Sequence, residues 1–289
     1  MIERAAVIGG GSMGVGIAHA FAAGGANVAI VEVDEERVKR ALASVAHVFE
    51  RSAQRGAMTP GAAAEAAARV SGKTSVETLP LGLDVIVEAV PEIPDLKRAV
   101  LARCAAREPH LLATNTSGLS IDTLAAELPA PGRFLGLHFF NPVWAMALVE
   151  IVLGERTSDA ARDAALALCE QLGKTSIIVR DAPGFASTRL GIALGLEAIR
   201  MVEDGVAAPA DIDRAMELGY RHPMGPLKLT DLVGLDVRLD IARNLEKSYG
   251  ARYAPPRLLI DMVAAGKLGK KSGQGFYDWA TGEARPIGS

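Results

Sequence analysis

Two ionisable residues interrupt apolar runs in the stretch 136–152, "GLHFFNPVWAMALVEIV": His138 follows Leu137 and precedes Phe139, and Glu150 lies between Val149 and Ile151. Burying such groups is costly unless they are paired or hydrogen-bonded. Two readings meet that requirement: a core pair that satisfies itself, or an acid–base pair at a reaction centre. In the second, a neutral imidazole takes the proton of a substrate hydroxyl, and the carboxylate fixes the tautomer and stabilises the charge that builds on the ring. The twelve-residue separation leaves room for a turn and a return, so that the two side chains meet across neighbouring strands. Asn141–Pro142 ends the first run and puts His138 near a strand terminus. "ATNTSGLS" (113–120) offers Asn115, Thr116, Ser117 and Ser120 after another strand, as substrate or cofactor contacts or simply as turn and cap residues.

The elements that must position these residues are legible in the first 180 residues. Short β-rich runs are expected at 5–9, 27–31, 84–90, 111–115, 134–140, 147–152 and 175–180, with helical stretches such as 95–107 and 159–172 between them. That alternation predicts a Rossmann-type, doubly wound α/β fold whose sheet is mostly parallel. A long helix and an Ala-rich segment form a helical excursion between the second and third of these runs. After "RDAPGF" the pattern turns helical, at 184–204, 209–219, 226–248 and 255–266, with no convincing strand. The expected organisation is an α/β domain over 1–182 and an all-helical C-terminal domain over 183–289, with a frayed tail "ARPIGS".

The first strand runs into Gly9-x-Gly11-x-x-Gly14, with Ser12 and Met13 opening a helix. Glycines there permit a tight turn and let a pyrophosphate approach the helix N-terminus. The second strand ends in Glu32, 18 residues beyond Gly14. An acid at that place binds the ribose hydroxyls and repels a 2′-phosphate, which favours NAD over NADP; FAD is the competing dinucleotide. In an open α/β sheet ligands gather beyond the carboxyl ends of the strands, so His138 is expected at the same rim as the dinucleotide.

Composition excludes other classes. The net charge of −3, without runs of one sign, gives no reason to expect nucleic acid or an anionic membrane. No apolar run is long enough for a membrane span. The two cysteines, Cys104 and Cys169, form no CxxC pair, and the five histidines show no HxH or HExxH spacing, so no metal site is expected. The pattern suits a reducing cytoplasm, with a chain that starts directly in mature structure.

Along essentially its whole length the chain resembles the 3-hydroxyacyl-CoA dehydrogenase family, in its short-chain 3-hydroxybutyryl-CoA branch. The resemblance rests on "GGGSMGVGIA", "VEAVPE" with "LK" at 96–97, "TNTSGLS", "GLHFFNP", "LVEIV", "DAPGF", "HPMGPLKLTDLVGLD" and "GKLGKKSGQGFYDW". It implies NAD-dependent, reversible oxidation of an (S)-3-hydroxyacyl-CoA to the 3-ketoacyl-CoA. His138 would be the general base and Glu150 its orienting partner. Ser117 would touch the substrate oxygen near the nicotinamide, with Asn115 supporting the loop. Glu92 and Lys97 would bind the nicotinamide ribose region, with Asn141 and Lys271 closing on the cofactor. The helix after the second strand would help hold CoA, with Arg55 as a phosphate partner. The helical domain would form a homodimer interface. One departure stands out: where many members have Asn after "DAPGF", this chain has Thr188, which keeps a hydroxyl but lacks the amide NH₂. Rival readings are a dehydrogenase of a non-CoA 3-hydroxy acid and a non-catalytic NAD-binding protein.

Overall fold

A computed structural model describes residues 1–287. The chain divides into two compact units, Met1–Ala182 and Pro183–Ser289.

The first unit begins β1 (Arg4–Ile8), α1 (Ser12–Ala23), β2 (Asn27–Val31), α2 (Glu35–Gln54), α3 (Pro60–Ala68), β3 (Val70–Lys73), β4 (Val85–Glu88), α4 (Pro94–Ala105) and β5 (Leu111–Thr114). It continues with α5 (Ile121–Ala125), β6 (Phe134–Phe139), β7 (Leu148–Leu153), α6 (Asp159–Gln171) and β8 (Thr175–Arg180). The eight strands form one sheet in the order β3-β2-β1-β4-β5-β6-β7-β8, parallel throughout except where β7 runs antiparallel to β6. Strands β4, β5 and β6 are buried at every residue, as expected of a sheet covered on both faces.

Helix α2 shows how local sequence sets an element. Asp34 caps it, its carboxylate accepting from Arg37 N at 2.7 Å, a contact worth about 1 kcal/mol. Val38, Ala41, Val45, Phe49 and Ser52 recur at helical spacing and form its buried stripe.

Strand β3 lies outside the runs expected from sequence. Its four residues, "VSGK", lack an apolar alternation, and the reason is steric. A Cβ on Gly72 would come within 2.1 Å of Val38 Cγ1, so glycine is what lets α2 pack over this edge strand.

The second unit holds α7 (Ser187–Glu203), α8 (Pro209–Arg214), α9 (Pro226–Val233), α10 (Leu235–Tyr249) and α11 (Arg257–Ala264). Two expectations need correction. The segment 226–248 is two helices, because Gly234 takes φ +105°, a conformation open to glycine, between α9 and α10. The unit also carries a two-residue antiparallel ladder, β9 (Tyr277–Asp278) with β10 (Arg285–Pro286), so part of the tail expected to fray is paired. Gly288 and Ser289 of that tail lie outside the described residues. Buried Asp231 organises this end of the unit, accepting from Phe276 N, Tyr277 N and Trp279 Nε1 at 2.8–2.9 Å. Burial pushes its carboxyl up. Gly275 is required beside it, since a Cβ there would lie 2.1 Å from Asp231 Oδ1.

Candidate active site

The strand order reverses between β1 and β4, and a cavity of about 740 Å³ opens beyond their carboxyl ends. Gly9, Gly11, Ser12, Met13 and Glu32 line it, with Ala89 and Val90 from the β4 end. Each glycine of the loop has its own reason. Gly9 takes φ +103° and donates to Val31 O at 2.9 Å. A Cβ on Gly14 would sit 1.8 Å from Gly9 O, so only glycine lets α1 start this close to β1. A Cβ on Gly11 would meet nothing within 4 Å, which leaves open space at the helix N-terminus where a pyrophosphate fits. The Glu32 carboxylate accepts from Gly10 N at 2.7 Å and Val33 N at 3.1 Å, which holds it at the cavity wall. These residues therefore fit an adenine dinucleotide.

A second set of groups lies at the ends of β4 and β5. Lys97, on α4, is fully buried, and its ammonium donates to both Glu88 oxygens at 2.9 and 3.1 Å and to Asn115 O at 3.2 Å. It also stands 3.3 Å from Glu92. Lys97, expected among the cofactor contacts, is buried here between Glu88 and Glu92. Glu92, half-exposed, accepts from Thr116 Oγ1 and from Ser117 N at 3.0 Å, and so shapes the turn that presents Ser117. Asn115 Oδ1 accepts from Phe139 N at 3.0 Å, tying the same turn to the residue after His138. Ser120 serves α5 as a cap and donates to Asp181.

Glu88 is a member of this cluster that sequence reasoning did not single out. It is fully buried, with Thr114 Oγ1 donating at 2.6 Å and Val90 N at 2.7 Å, and burial pushes its carboxyl up. The available signal was an acid closing the apolar run "VIVE" nine residues before a lysine.

His138 and Glu150 are directly opposed in the antiparallel register of β6 and β7. Both are buried, and His138 Nδ1 lies 2.6 Å from Glu150 Oε2. With Nδ1–H donated to the carboxylate, the neutral ring carries its lone pair on Nε2, which is the tautomer a general base needs. The Phe140 ring lies tilted against the imidazole, 4.4 Å between ring centroids. Asn141, exposed, begins the loop that follows, joined to Pro142 by a cis peptide bond.

The match to known proteins decides the family. Residues 4–182 match the 3-hydroxyacyl-CoA dehydrogenase NAD binding domain, and 184–279 match the C-terminal domain of the same family. The chain belongs to the 3-hydroxyacyl-CoA dehydrogenase family. A 3-hydroxybutyryl-CoA dehydrogenase of Clostridioides difficile is 39% identical over 279 residues, which cover 96% of this chain and 99% of that protein. The crystal structure of (S)-3-hydroxybutyryl-CoA dehydrogenase from Ralstonia eutropha superposes with a TM-score of 0.91 at 40% identity, covering 96% of this chain and 99% of that one. A 3-hydroxyadipyl-CoA dehydrogenase of Escherichia coli is 36% identical, covering 99% of this chain and 61% of that protein. The first unit of this dehydrogenase is therefore the family's NAD-binding domain, and NAD is its cofactor.

The remaining site candidates of this dehydrogenase are placed as follows. Arg55 caps the C-terminal end of α2, exposed, with its guanidinium over the Trp144 ring. In the second unit, Thr188 is in the first turn of α7 and half-buried, while Lys271 is exposed and paired with Asp236 at 2.5 Å. Among the described residues no group of three or more His, Cys, Asp or Glu side chains is arranged to hold a metal ion. None of their helices is long and apolar enough to cross a membrane.

Proposed function

We propose that this dehydrogenase oxidises short-chain (S)-3-hydroxyacyl-CoA, with 3-hydroxybutyryl-CoA as the expected substrate, reversibly to the 3-ketoacyl-CoA. The observation that carries the reading is the buried His138–Glu150 pair, opposed across β6 and β7 at 2.6 Å. NAD, when bound, supplies the acceptor for the hydride leaving C3. His138 Nε2 takes the proton of the substrate's 3-hydroxyl, and Glu150 stabilises the imidazolium that results. In the reverse direction the same nitrogen returns the proton to the carbonyl oxygen. Ser117 donates to that oxygen, on a turn held by Glu92 and, through Glu92, by Lys97. Asn141 adds a cofactor contact, and the second unit offers Lys271 and Thr188 as its own candidate contacts, Thr188 bringing a hydroxyl where many relatives carry an amide. Burial of the pair strengthens its interaction by keeping water out.

The assembly we infer is a homodimer through the second unit. Leu190, Leu229, Leu232, Val233 and Val237 expose apolar surface there that a second copy would cover. The two buried, free cysteines fit a reducing, cytoplasmic setting.

The test is NADH oxidation with acetoacetyl-CoA against free acetoacetate at equal concentration. Turnover of the thioester alone supports the reading. Equal turnover of the free acid assigns the enzyme to non-CoA substrates, and NADH binding without turnover of either makes it non-catalytic.

A further inference from the structure

Residues 140–147 carry the chain from the His138 strand to the Glu150 strand, and three contacts hold this loop. Val143 is buried against α1 at Gly16, where an added Cβ would lie 2.8 Å from the Val143 Cβ. Lys174 donates to Val143 O at 2.6 Å and to Met146 O at 2.8 Å. The third contact is of another kind. Trp144, half-buried midway between His138 and Glu150, carries the Arg55 guanidinium 4.6 Å from its ring centroid.

Arg55 is exposed, and among the described residues no carboxylate pairs with it. A guanidinium lying over an aromatic face is fixed in plane, yet its N–H donors at the edges stay available for hydrogen bonding. That arrangement suits a phosphate, which takes two parallel N–H donors. An unbraced arginine would have to freeze its long side chain on binding, at a cost in affinity that the indole contact reduces in advance.

We propose that Trp144 is a positioning residue for the CoA end of the substrate. It holds Arg55 for a phosphate of the nucleotide tail, and it ties that hold to the loop joining the two catalytic strands. One loop then registers both ends of the same molecule. The inference rests on the reading of the substrate as a CoA thioester whose phosphate meets Arg55.

The experiment compares kcat/KM for acetoacetyl-CoA with kcat/KM for S-acetoacetyl-N-acetylcysteamine, a β-keto thioester without nucleotide or phosphate. The proteins are wild type, Trp144→Leu, Trp144→Phe, Arg55→Ala and the double variant R55A/W144L. Arg55→Ala is expected to lower the preference for the CoA ester about tenfold or more, as loss of a charged hydrogen bond does. Trp144→Leu should lower it about two- to fivefold, the range of an exposed cation–π contact, and do so through KM. Trp144→Phe, which keeps a π face, should recover most of that loss, and W144L should add little in the R55A background. Equal losses on both thioesters, or an undiminished W144L effect in R55A, would assign Trp144 to loop structure and overturn the proposal. An unchanged preference in Arg55→Ala alone would overturn the phosphate contact itself, and the role of Trp144 with it.

Discussion

Replacing Lys97 by Met keeps the aliphatic stem and removes the charge, and the structure sets the size of the effect. Lys97 and Glu88 are both fully buried, and the ammonium spans both Glu88 oxygens at 2.9 and 3.1 Å. Without it, Glu88 keeps the Thr114 hydroxyl and the Val90 N–H but has no counter-charge within the cluster. Breaking a buried pair on one side costs about 3–5 kcal/mol, because the remaining charge is uncompensated. With a urea slope of about 2.5 kcal/mol/M, the unfolding midpoint should fall by about 1.5 M at pH 7.5. The pH dependence has a definite sign. Burial already raises the Glu88 carboxyl, and loss of Lys97 raises it further, so the folded variant takes up a proton more readily than the unfolded chain. The deficit of K97M is therefore largest above the raised value and narrows as pH falls toward it. The double variant K97M/E88Q, with no charge left to bury, should recover about half the loss or more. Urea titrations followed by circular dichroism read all three proteins. A cost for K97M below about 1 kcal/mol, or a double variant as unstable as K97M, would refute the argument.

Three further outcomes follow from the same geometry. Glu150→Gln removes the charge that stabilises the imidazolium, and kcat with acetoacetyl-CoA should fall about a hundredfold or more; a rate within about tenfold of wild type would remove Glu150 from the mechanism. Thr188→Ala should lower kcat about two- to tenfold, the worth of one hydroxyl hydrogen bond, and unchanged kcat and KM would leave Thr188 with no catalytic part. His19 is buried against Phe49, with Ser52 Oγ 3.3 Å from Nε2 and no hydrogen-bond partner for Nδ1 among the described residues. Burial first, and the Lys174 charge second, lower its pKa from 6.5 to about 4. The neutral ring is thus at no disadvantage above pH 6.5, and stability is lost as pH falls from there toward 4. About 2 kcal/mol should go between pH 7 and 4.5 in wild type and be spared in His19→Gln; equal losses in both would refute the assignment.

The residues themselves determined a good deal here. Strand–helix alternation, the Gly9–Gly14 loop and Glu32 at the end of the next strand are local patterns, and each element they marked is present with small shifts at its ends. His138 and Glu150 stood out for the same reason, as single ionisable groups in apolar runs. What tertiary structure decided is which distant groups meet. Twelve residues of sequence allow many returns, and only the antiparallel register puts Nδ1 and the carboxylate 2.6 Å apart. Glu88, Thr114 and Lys97 come from two strands and a helix, so no spacing rule joins them; burial at the sheet's rim turns a strand-end acid and a helix lysine into one ion pair. Strand β3 and the break at Gly234 escaped for a related reason. Their glycines answer to Val38 packing from another helix and to a left-handed backbone, and neither constraint leaves a periodic trace in the chain.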